Sequence, residues 1–291
     1  MIEFKLAKKE DIKKISSFIA KINSKEENHI GYCGTNSEEI ANSLMKDIID
    51  ISFNESFIIG IEDEKIIGVL GFDTDFESNS AEIWGPFLKE DKWDIVAEMW
   101  SKMIEILPKG IGLISMFINK KNRNCLRLAD SFHFIKESEE IILSFERTYA
   151  HKLQDTSIIE LSTVYYEDMQ LLHDKVFPNT YYSGSQIIER LNNHRKVFID
   201  IKNNKLTGYI YVEVNPKFGE GSIEFFAVDE LQRGKSIGSK LLTMALKWLF
   251  TFDSINNIIL CVNSENKKAL DLYKRVGFKQ KHQLYYFTKK C

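Results

Sequence analysis

The order strand–helix–helix–strand–strand–strand–helix–strand–helix–strand is written into this chain twice. No other feature constrains the fold as much, because a repeat of this length requires two similar units, each burying a core of its own. In the first pass, "IEFKLA" (2–7) alternates as a strand, and residues 9–22 carry Ile12, Ile15, Phe18, Ile19 and Ile22 on one helical face. A second helix is expected over 37–49. A hairpin turns at Glu62-Asp63-Glu64 within 56–72, and "SAEIWGPFL" (80–88) is a strand. Residues 92–106 form an amphipathic helix, 111–118 a buried strand, 122–134 a helix entering a strand, and 140–147 closes the set. The second pass runs through a strand at 157–162, helices at 165–176 and 184–192, and a hairpin at 196–214 with Asn203-Asn204 at its turn. A strand at 221–228, a helix at 236–250, a buried strand at 256–262, a helix entering a strand at 266–278 and a last strand at 284–289 complete it.

The two copies align residue by residue over their last helix. With "NRNCLRLADSFHF" laid on "NKKALDLYKRVGF", Asn122 falls on Asn266, Leu126 on Leu270, Leu128 on Leu272 and Phe134 on Phe278. Ala129 stands where Tyr273 is, and His133 where Gly277 is. The polar stretch "RTYAHKLQDT" (147–156) separates the copies, so two α/β domains with mixed sheets are expected, 1–148 and 149–291.

Composition excludes several functional classes. With 28% charged residues and a net charge of -3, nothing favours nucleic acid or an anionic membrane surface as a partner. No apolar run is long enough to span a bilayer. "MIEFKLAKKEDIKK" has no apolar core of a secretory signal, so a cytoplasmic location is expected. Cys33, Cys125, Cys261 and Cys291 form no CxxC pair, and the six histidines show no ligand spacing; free thiols and no metal are expected.

The densest signal is "VDELQRGKSIGSKLL" (228–242), where Arg233, Gly234, Lys235, Ser236, Ile237 and Gly238 lie between a strand and an amphipathic helix. It contains Gly-Lys-Ser, but an ATP-binding P-loop needs glycine at 229, which is Asp229. Consecutive N–H groups at a helix start, flanked by two cations, suit a diphosphate; the plain alternative is an exposed glycine turn. "PKGIGL" (108–113) precedes a strand and is a turn, not a dinucleotide loop.

Here the residues carry a resemblance. Roughly 157–290 resembles the GCN5-related N-acetyltransferases (GNAT), whose pyrophosphate loop reads Arg/Gln-x-x-Gly-x-Gly/Ala and whose later motif reads Asn-x-x-Ala-x-x-Leu-Tyr-x-x-x-Gly-Phe. Arg233 to Gly238 occupy the first, with Ser236 in place of the first motif glycine; Asn266, Ala269, Leu272, Tyr273, Gly277 and Phe278 match the second. The first half matches in element order and only weakly in motif. The resemblance implies two tandem GNAT-like (acyl-CoA N-acyltransferase) domains, the first degenerate. It also implies acetyl-CoA as cosubstrate and transfer to an amine within a ternary complex. Helical dihedrals at Ser236 are expected to make serine tolerable there.

Acetyl transfer to an amine needs a base for the ammonium proton, a donor for the thioester oxygen and an acid for the leaving thiolate. Tyr273 is the candidate acid, since a phenol is protonated at neutral pH; the alternative is a packed core tyrosine. A backbone N–H near Ala227 or Val228 is the implied oxygen donor. Glu224 is the candidate base, on a strand face expected to carry Ser222, Glu224 and Phe226; the alternative is a solvent-facing strand residue. Asn266 is read as a helix cap that also lies near the cofactor, and Asn263 as a possible cleft residue. The loop "FPNTYYSGSQ" (177–186), with Phe177, Tyr181 and Tyr182, is expected to cover a small-molecule or peptide amine. Asp73, Asp75, Glu77 and Glu82 form an acidic cluster in the first half, which is ordinarily a solvated face. The expected function is an acetyl-CoA-dependent N-acetyltransferase with one coenzyme A per chain. The alternatives are a non-catalytic acyl-CoA sensor and an O- or longer-chain acyltransferase.

Overall fold

The computed structural model describes every residue except Met1, Ile49 and Asn179. It divides into two compact units, one of residues 1–140 with 282–291, the other of 141–281.

The first unit contains β1 (Glu3–Leu6), α1 (Ile12–Asn23), α2 (Ser37–Lys46), the single turn α3 (Phe53–Ser56), β2 (Phe57–Glu62), β3 (Lys65–Asp75), β4 (Ser80–Leu88), α4 (Val96–Ile106), β5 (Leu113–Asn119) and α5 (Arg123–Ser131), and ends within β6 (Ile135–Glu146). β1 to β4 form an antiparallel run. β4 then meets β5 in parallel, at only three pairs, Ser80↔Leu113 to Glu82↔Ser115. The other edge of β5 is taken by the end of the chain's last strand, β12 (Lys279–Lys290), from Leu284↔Asn119 to Lys290↔Leu113. Ile15 and Ile19 of α1, Met99 and Met103 of α4, and Val69, Leu70 and Phe72 of β3 are in its core.

The second unit contains β7 (Ile159–Glu160), α6 (Tyr166–Val176), α7 (Gly184–Arg190), β8 (Arg195–Lys202), β9 (Lys205–Asn215), β10 (Glu220–Val228), α8 (Ile237–Leu249), β11 (Asn257–Asn263) and α9 (Lys267–Val276). β7, β8, β9 and β10 form an antiparallel sheet with β10 at its edge. Among the described residues no ladder joins β10 to β11, which instead neighbours β6. Sheet continuity is therefore broken between the two strands that are joined in the first unit, leaving one edge of β10 open.

Helices cover the β8–β10 sheet on both faces. α8 brings Leu241, Leu242, Ala245, Leu246 and Leu249, all fully buried, against Ile210, Val212 and Ile258. Their spacing is a helical stripe, and each buried leucine is worth about 2 kcal/mol, which holds α8 against the sheet. On the opposite face, Met169 of α6 and Ile187 of α7 pack with Tyr209, Tyr211 and Phe225.

The order of elements is as the sequence implies, with α3 added and several ends moved. The helix expected over 37–49 ends at Lys46, with Ile49 outside the described residues. The separating stretch is a short 3-10 helix, Arg147–Lys152. A boundary at 148 would leave β6 whole in the first half and β12 whole in the second. The compact units instead divide both strands, because the first unit completes its sheet with 282–291 and the second unit takes 141–146 into its core.

The copies also share a helix ending. Gly277 sits at φ 117, and the N–H of Phe278 reaches back to the Tyr273 carbonyl at 3.0 Å. His133 adopts φ 58, and the N–H of Phe134 reaches the Ala129 carbonyl at 2.9 Å. This left-handed turn suits glycine, so the first copy keeps the geometry with a residue that pays for it in strain.

Candidate active site in the second unit

The turn between β10 and α8 is held from both sides. The Asp229 N–H bonds the Thr207 carbonyl at 2.9 Å, and Asp229 Oδ1 accepts from the Leu231 N–H at 2.9 Å. Gly234 follows at φ 82, and a Cβ built on it would meet nothing within 4 Å. Ser236 stands at φ 61, ψ 11, and its side chain caps nothing. Serine is thus left-handed here, not helical as expected, because the chain must reverse direction one residue before α8 starts. Among the described residues, no hydrogen bond is made by the N–H groups of Ile237, Gly238 or Ser239. Three unpaired donors at the positive end of a helix make an anion cradle. The Ser239 hydroxyl is enclosed and has no partner either, a donor the motif does not show.

Contacts set two further features of this loop. Gly238 faces inward: an added Cβ would come within 3.0 Å of Phe226 Cζ and 3.3 Å of Leu272 Cδ2. Its smallness lets α8 pack on β10 and α9; it does not clear the way for phosphate. The two cations fold back on their own turn. Arg233 Nε donates to the Val228 carbonyl at 3.3 Å, and Lys235 Nζ to Gln232 Oε1 at 2.8 Å. Both are exposed and free to swing outward.

β10 continues the site from the loop. Since the Asp229 N–H faces β9, antiparallel alternation turns the Ala227 N–H to β9 as well. The N–H groups of Phe226 and Val228 then face the open edge, so of the two expected oxygen donors only Val228 is suitably aimed. β10 also bulges between Ile223 and Phe225, with Glu224 as the extra residue. The bulge overturns the expected face of Ser222, Glu224 and Phe226: Phe226 packs on the α8 side, while Phe225 packs on the α6–α7 side.

Tyr273 on α9 is half-buried, edge-on to Phe278 at 5.5 Å between ring centres. Its hydroxyl makes no hydrogen bond among the described residues, and burial raises the phenol above its ordinary value, so it holds its proton at neutral pH. Asn266 caps α9, its Oδ1 accepting from the Ala269 N–H at 3.1 Å. Asn263 Oδ1 accepts from the Glu265 N–H at 2.9 Å.

Across the α6–α7 face, Tyr181 is 60% exposed and donates to Glu224 Oε2 at 2.7 Å, its ring 4.8 Å from that of Phe225. The loop that carries Tyr181 is pinned by a residue the sequence reading passed over. His173 Nε2 lies 2.8 Å from the Tyr182 carbonyl, which can only accept, so Nε2 carries a hydrogen. Nδ1 faces the Tyr209 hydroxyl at 2.5 Å; burial pushes that phenol up, so it keeps its proton and donates. Beyond this lies a groove of about 830 Å³ lined by Arg195, Glu213, Asn215 and Ser222 among others. Glu213 accepts from Arg190 at 2.9 Å, from Arg195 at 3.0 Å and from the Tyr211 hydroxyl. Burial alone would raise its carboxyl; these three donors hold it below the ordinary carboxylate value.

The first unit lacks this constellation. Ala129, fully buried in its core, occupies the position of Tyr273, and the turn after β4 carries Glu90 and Asp91 with no glycine. Among the described residues, no group of three or more His, Cys, Asp or Glu side chains could hold a metal ion, and no helix is long and apolar enough to cross a membrane.

Residues 161–278 match the Acetyltransferase (GNAT) family. Over 99% of this chain and 95% of the other, the structure resembles a GCN5-related N-acetyltransferase from Sphaerobacter thermophilus, at 12% identity and a TM-score of 0.70. It also resembles a tandem GNAT protein from the clavulanic acid biosynthesis pathway, at 11% identity and a TM-score of 0.64, covering 100% of this chain and 98% of that one. A third likeness, to an acetyltransferase structure from Pyrococcus horikoshii, has 14% identity and a TM-score of 0.56, covering 100% and 89%. None of the curated proteins matches. Over 161–278 the second half thus matches the GNAT family, and the whole chain has the fold of two GNAT-like domains in tandem.

Proposed function

We propose that this GNAT domain transfers an acetyl group from acetyl-CoA to a primary amine by direct transfer, the first unit being a degenerate copy. One observation carries the reading: the open edge of β10 runs from three unpaired N–H groups at the start of α8 to the bulge that presents Glu224. The residues present fit coenzyme A. The α8 cradle, with Arg233, Lys235 and the Ser239 hydroxyl, would hold the diphosphate. Asn266, through its amide N–H groups, would lie along the cofactor.

Bound acetyl-CoA supplies the thioester carbon at which the new N–C bond forms as the C–S bond breaks. Glu224 takes the amine's proton through Oε1, since Oε2 is engaged by Tyr181. The Val228 N–H donates to the carbonyl oxygen as charge gathers there. Tyr273 gives its proton to the departing sulfur. Tyr181 and Tyr182 cover the acceptor, a small molecule or peptide end. The cysteines are all free, Cys33 and Cys125 buried, which suits a reducing cytoplasm.

The test is thiol release from acetyl-CoA over a panel of polyamines, amino acids, aminoglycosides and peptide N-termini, with the acetylated product identified by mass. Coenzyme A binding without any acylated product would favour a sensor; release only with alcohols or with longer acyl donors would move the reaction class.

A further inference from the structure

We propose that the amine acceptor of the second unit carries a carboxylate away from its amine, and that Arg195 reads it. The substrate class is then amino acids and short peptides, with neither polyamines nor aminoglycosides favoured. This deepens the transfer reading and rests on it for the role of Glu224.

Arg195 is half-buried, and its Nε donates to Glu213 Oε2 at 3.0 Å. Among the described residues its two terminal nitrogens make no hydrogen bond, and the residue lines the groove of about 830 Å³. A guanidinium anchored through Nε has its plane fixed. Its terminal nitrogens keep the end-on pair of N–H groups that a carboxylate takes with both oxygens. Glu213 does not compete for a cationic ligand, since Arg190, Arg195 and the Tyr211 hydroxyl already occupy it. Two guanidiniums thus face one carboxylate. Lys217 and Glu220, also in the lining, offset each other, so the excess that remains in the groove is positive.

The hairpin does not require an arginine here, because the other copy does without it. With β2–β3 laid on β8–β9, Phe57 on Val197 and Gly68 on Gly208, Glu55 falls on Arg195 and Asp73 on Glu213. The first copy keeps the carboxylate of the pair and has the opposite charge in place of the cation. A cation that one copy of a duplicated hairpin has, and the other replaces with an acid, points to a ligand rather than to folding.

The guanidinium lies on the face that Tyr181 and Tyr182 cover. Arg195, Glu213 and Ser222 are direct partners across β8, β9 and β10, and Ser222 stands two residues before Glu224. A run of contacts joins the two ends. Tyr181 donates to Glu224 at 2.7 Å, and its ring lies 4.8 Å from that of Tyr182. The Arg190 guanidinium stands 4.0 Å over the Tyr182 ring and reaches Glu213 at 2.9 Å. At about 3.3 Å per residue and about 4.8 Å per strand, the Cα atoms of Glu224 and Arg195 are roughly 12 Å apart. Their side chains shorten the gap to the span of an extended peptide of roughly two or three residues. An amine at Glu224 then puts the C-terminal carboxylate of such a peptide, or that of a long ω-amino acid, at Arg195.

The experiment compares acceptors that differ only in the carboxylate: triglycine against triglycinamide, and ε-aminocaproate against its amide, with spermidine beside them. Each is assayed for acetylated product with acetyl-CoA and titrated calorimetrically onto the full chain. Wild type and Arg195→Gln are compared, the variant being checked for an unchanged circular dichroism spectrum. The expected result is a kcat/KM about tenfold or more higher for each acid than for its amide, through KM and with kcat nearly equal. Arg195→Gln should erase that difference by raising the KM of the acids alone, with the amides and coenzyme A affinity unchanged. Equal use of acid and amide by the wild type, an acid preference that survives in Arg195→Gln, or spermidine as the best acceptor overturns the proposal. The wild-type comparison needs no variant to fold. If no acceptor is acetylated, the transfer reading falls and the titrations decide the carboxylate site. Tighter binding of the acids that is lost in Arg195→Gln upholds it; equal or absent binding overturns it.

Discussion

The hydroxyl of Tyr181 donates to Glu224 at 2.7 Å, so the loop that would cover an acceptor also holds the carboxylate that would deprotonate it. Removing either partner should separate two effects. Glu224→Gln should lower kcat, and remove the fall in rate toward low pH, with coenzyme A affinity kept. Tyr181→Phe leaves the carboxylate and loosens its aim, so the acceptor KM should rise more than kcat falls. Steady-state kinetics across pH check both; a wild-type pH profile in Glu224→Gln would place the base elsewhere.

Tyr273→Phe removes a proton donor that has no partner among the described residues. Turnover should drop by about a hundredfold while coenzyme A affinity and melting temperature stay close to wild type. Ala129→Tyr should restore nothing, and calorimetry should count one coenzyme A per chain. Two equivalents, or a fully active Tyr273→Phe enzyme, would contradict the division between the copies.

Ser236 holds φ 61, where a side chain is strained and glycine is not. Ser236→Gly should therefore raise stability by roughly 0.5–1 kcal/mol despite the added freedom of the unfolded chain. Coenzyme A should bind at least as tightly. Urea melts and calorimetry provide the two readouts, and a less stable variant would mean the serine side chain makes a bond that outweighs the strain.

Asp73 in the first unit has its carboxyl raised to about 6 by burial, and then by the negative charges of Asp50, Asp47 and Asp75. With the folded value above the unfolded one, the native state holds a proton longer than the unfolded chain, so this group costs stability as pH rises through the interval up to about 6. Asp73→Asn should accordingly be more stable than wild type at pH near 7.5, and the advantage should vanish near pH 4. Thermal melts at the two pH values decide it; an equal difference at both would assign the effect to packing.

Much of the site was legible because the relevant signals are local. Asn122 and Asn266 cap the helices they open, at 3.1 Å in each copy, as their side chains and positions imply. The Gly277 turn was equally readable, since only glycine adopts φ 117 without strain, whereas Ser236, expected to be helical, is left-handed. What escaped was set by tertiary contact. The bulge at Glu224 answers to register against β9, and no residue of "SIEFFAV" announces it. His173 and Tyr209 meet across 36 positions, and nothing in either segment names the other. The inward aim of Gly238 depends on where Phe226 and Leu272 come to rest. The divided strands escaped for the same reason: a duplicated pattern suggests that each half closes itself, and only pairing shows which strand completes which sheet.

The place of residues 282–291 in the first unit reverses the order in which a growing polypeptide can mature. The ribosome has delivered all of 141–281, a contiguous unit, before it delivers the strand that the first unit still lacks. The later unit can therefore be finished while the earlier one waits, against the usual N-terminal-first schedule. Through that interval "LISMFIN" of β5 has one unpaired edge, an apolar template for any other strand it meets. During biosynthesis, chaperone demand should centre on Leu113–Asn119 until Leu284–Lys290 arrives to cover it.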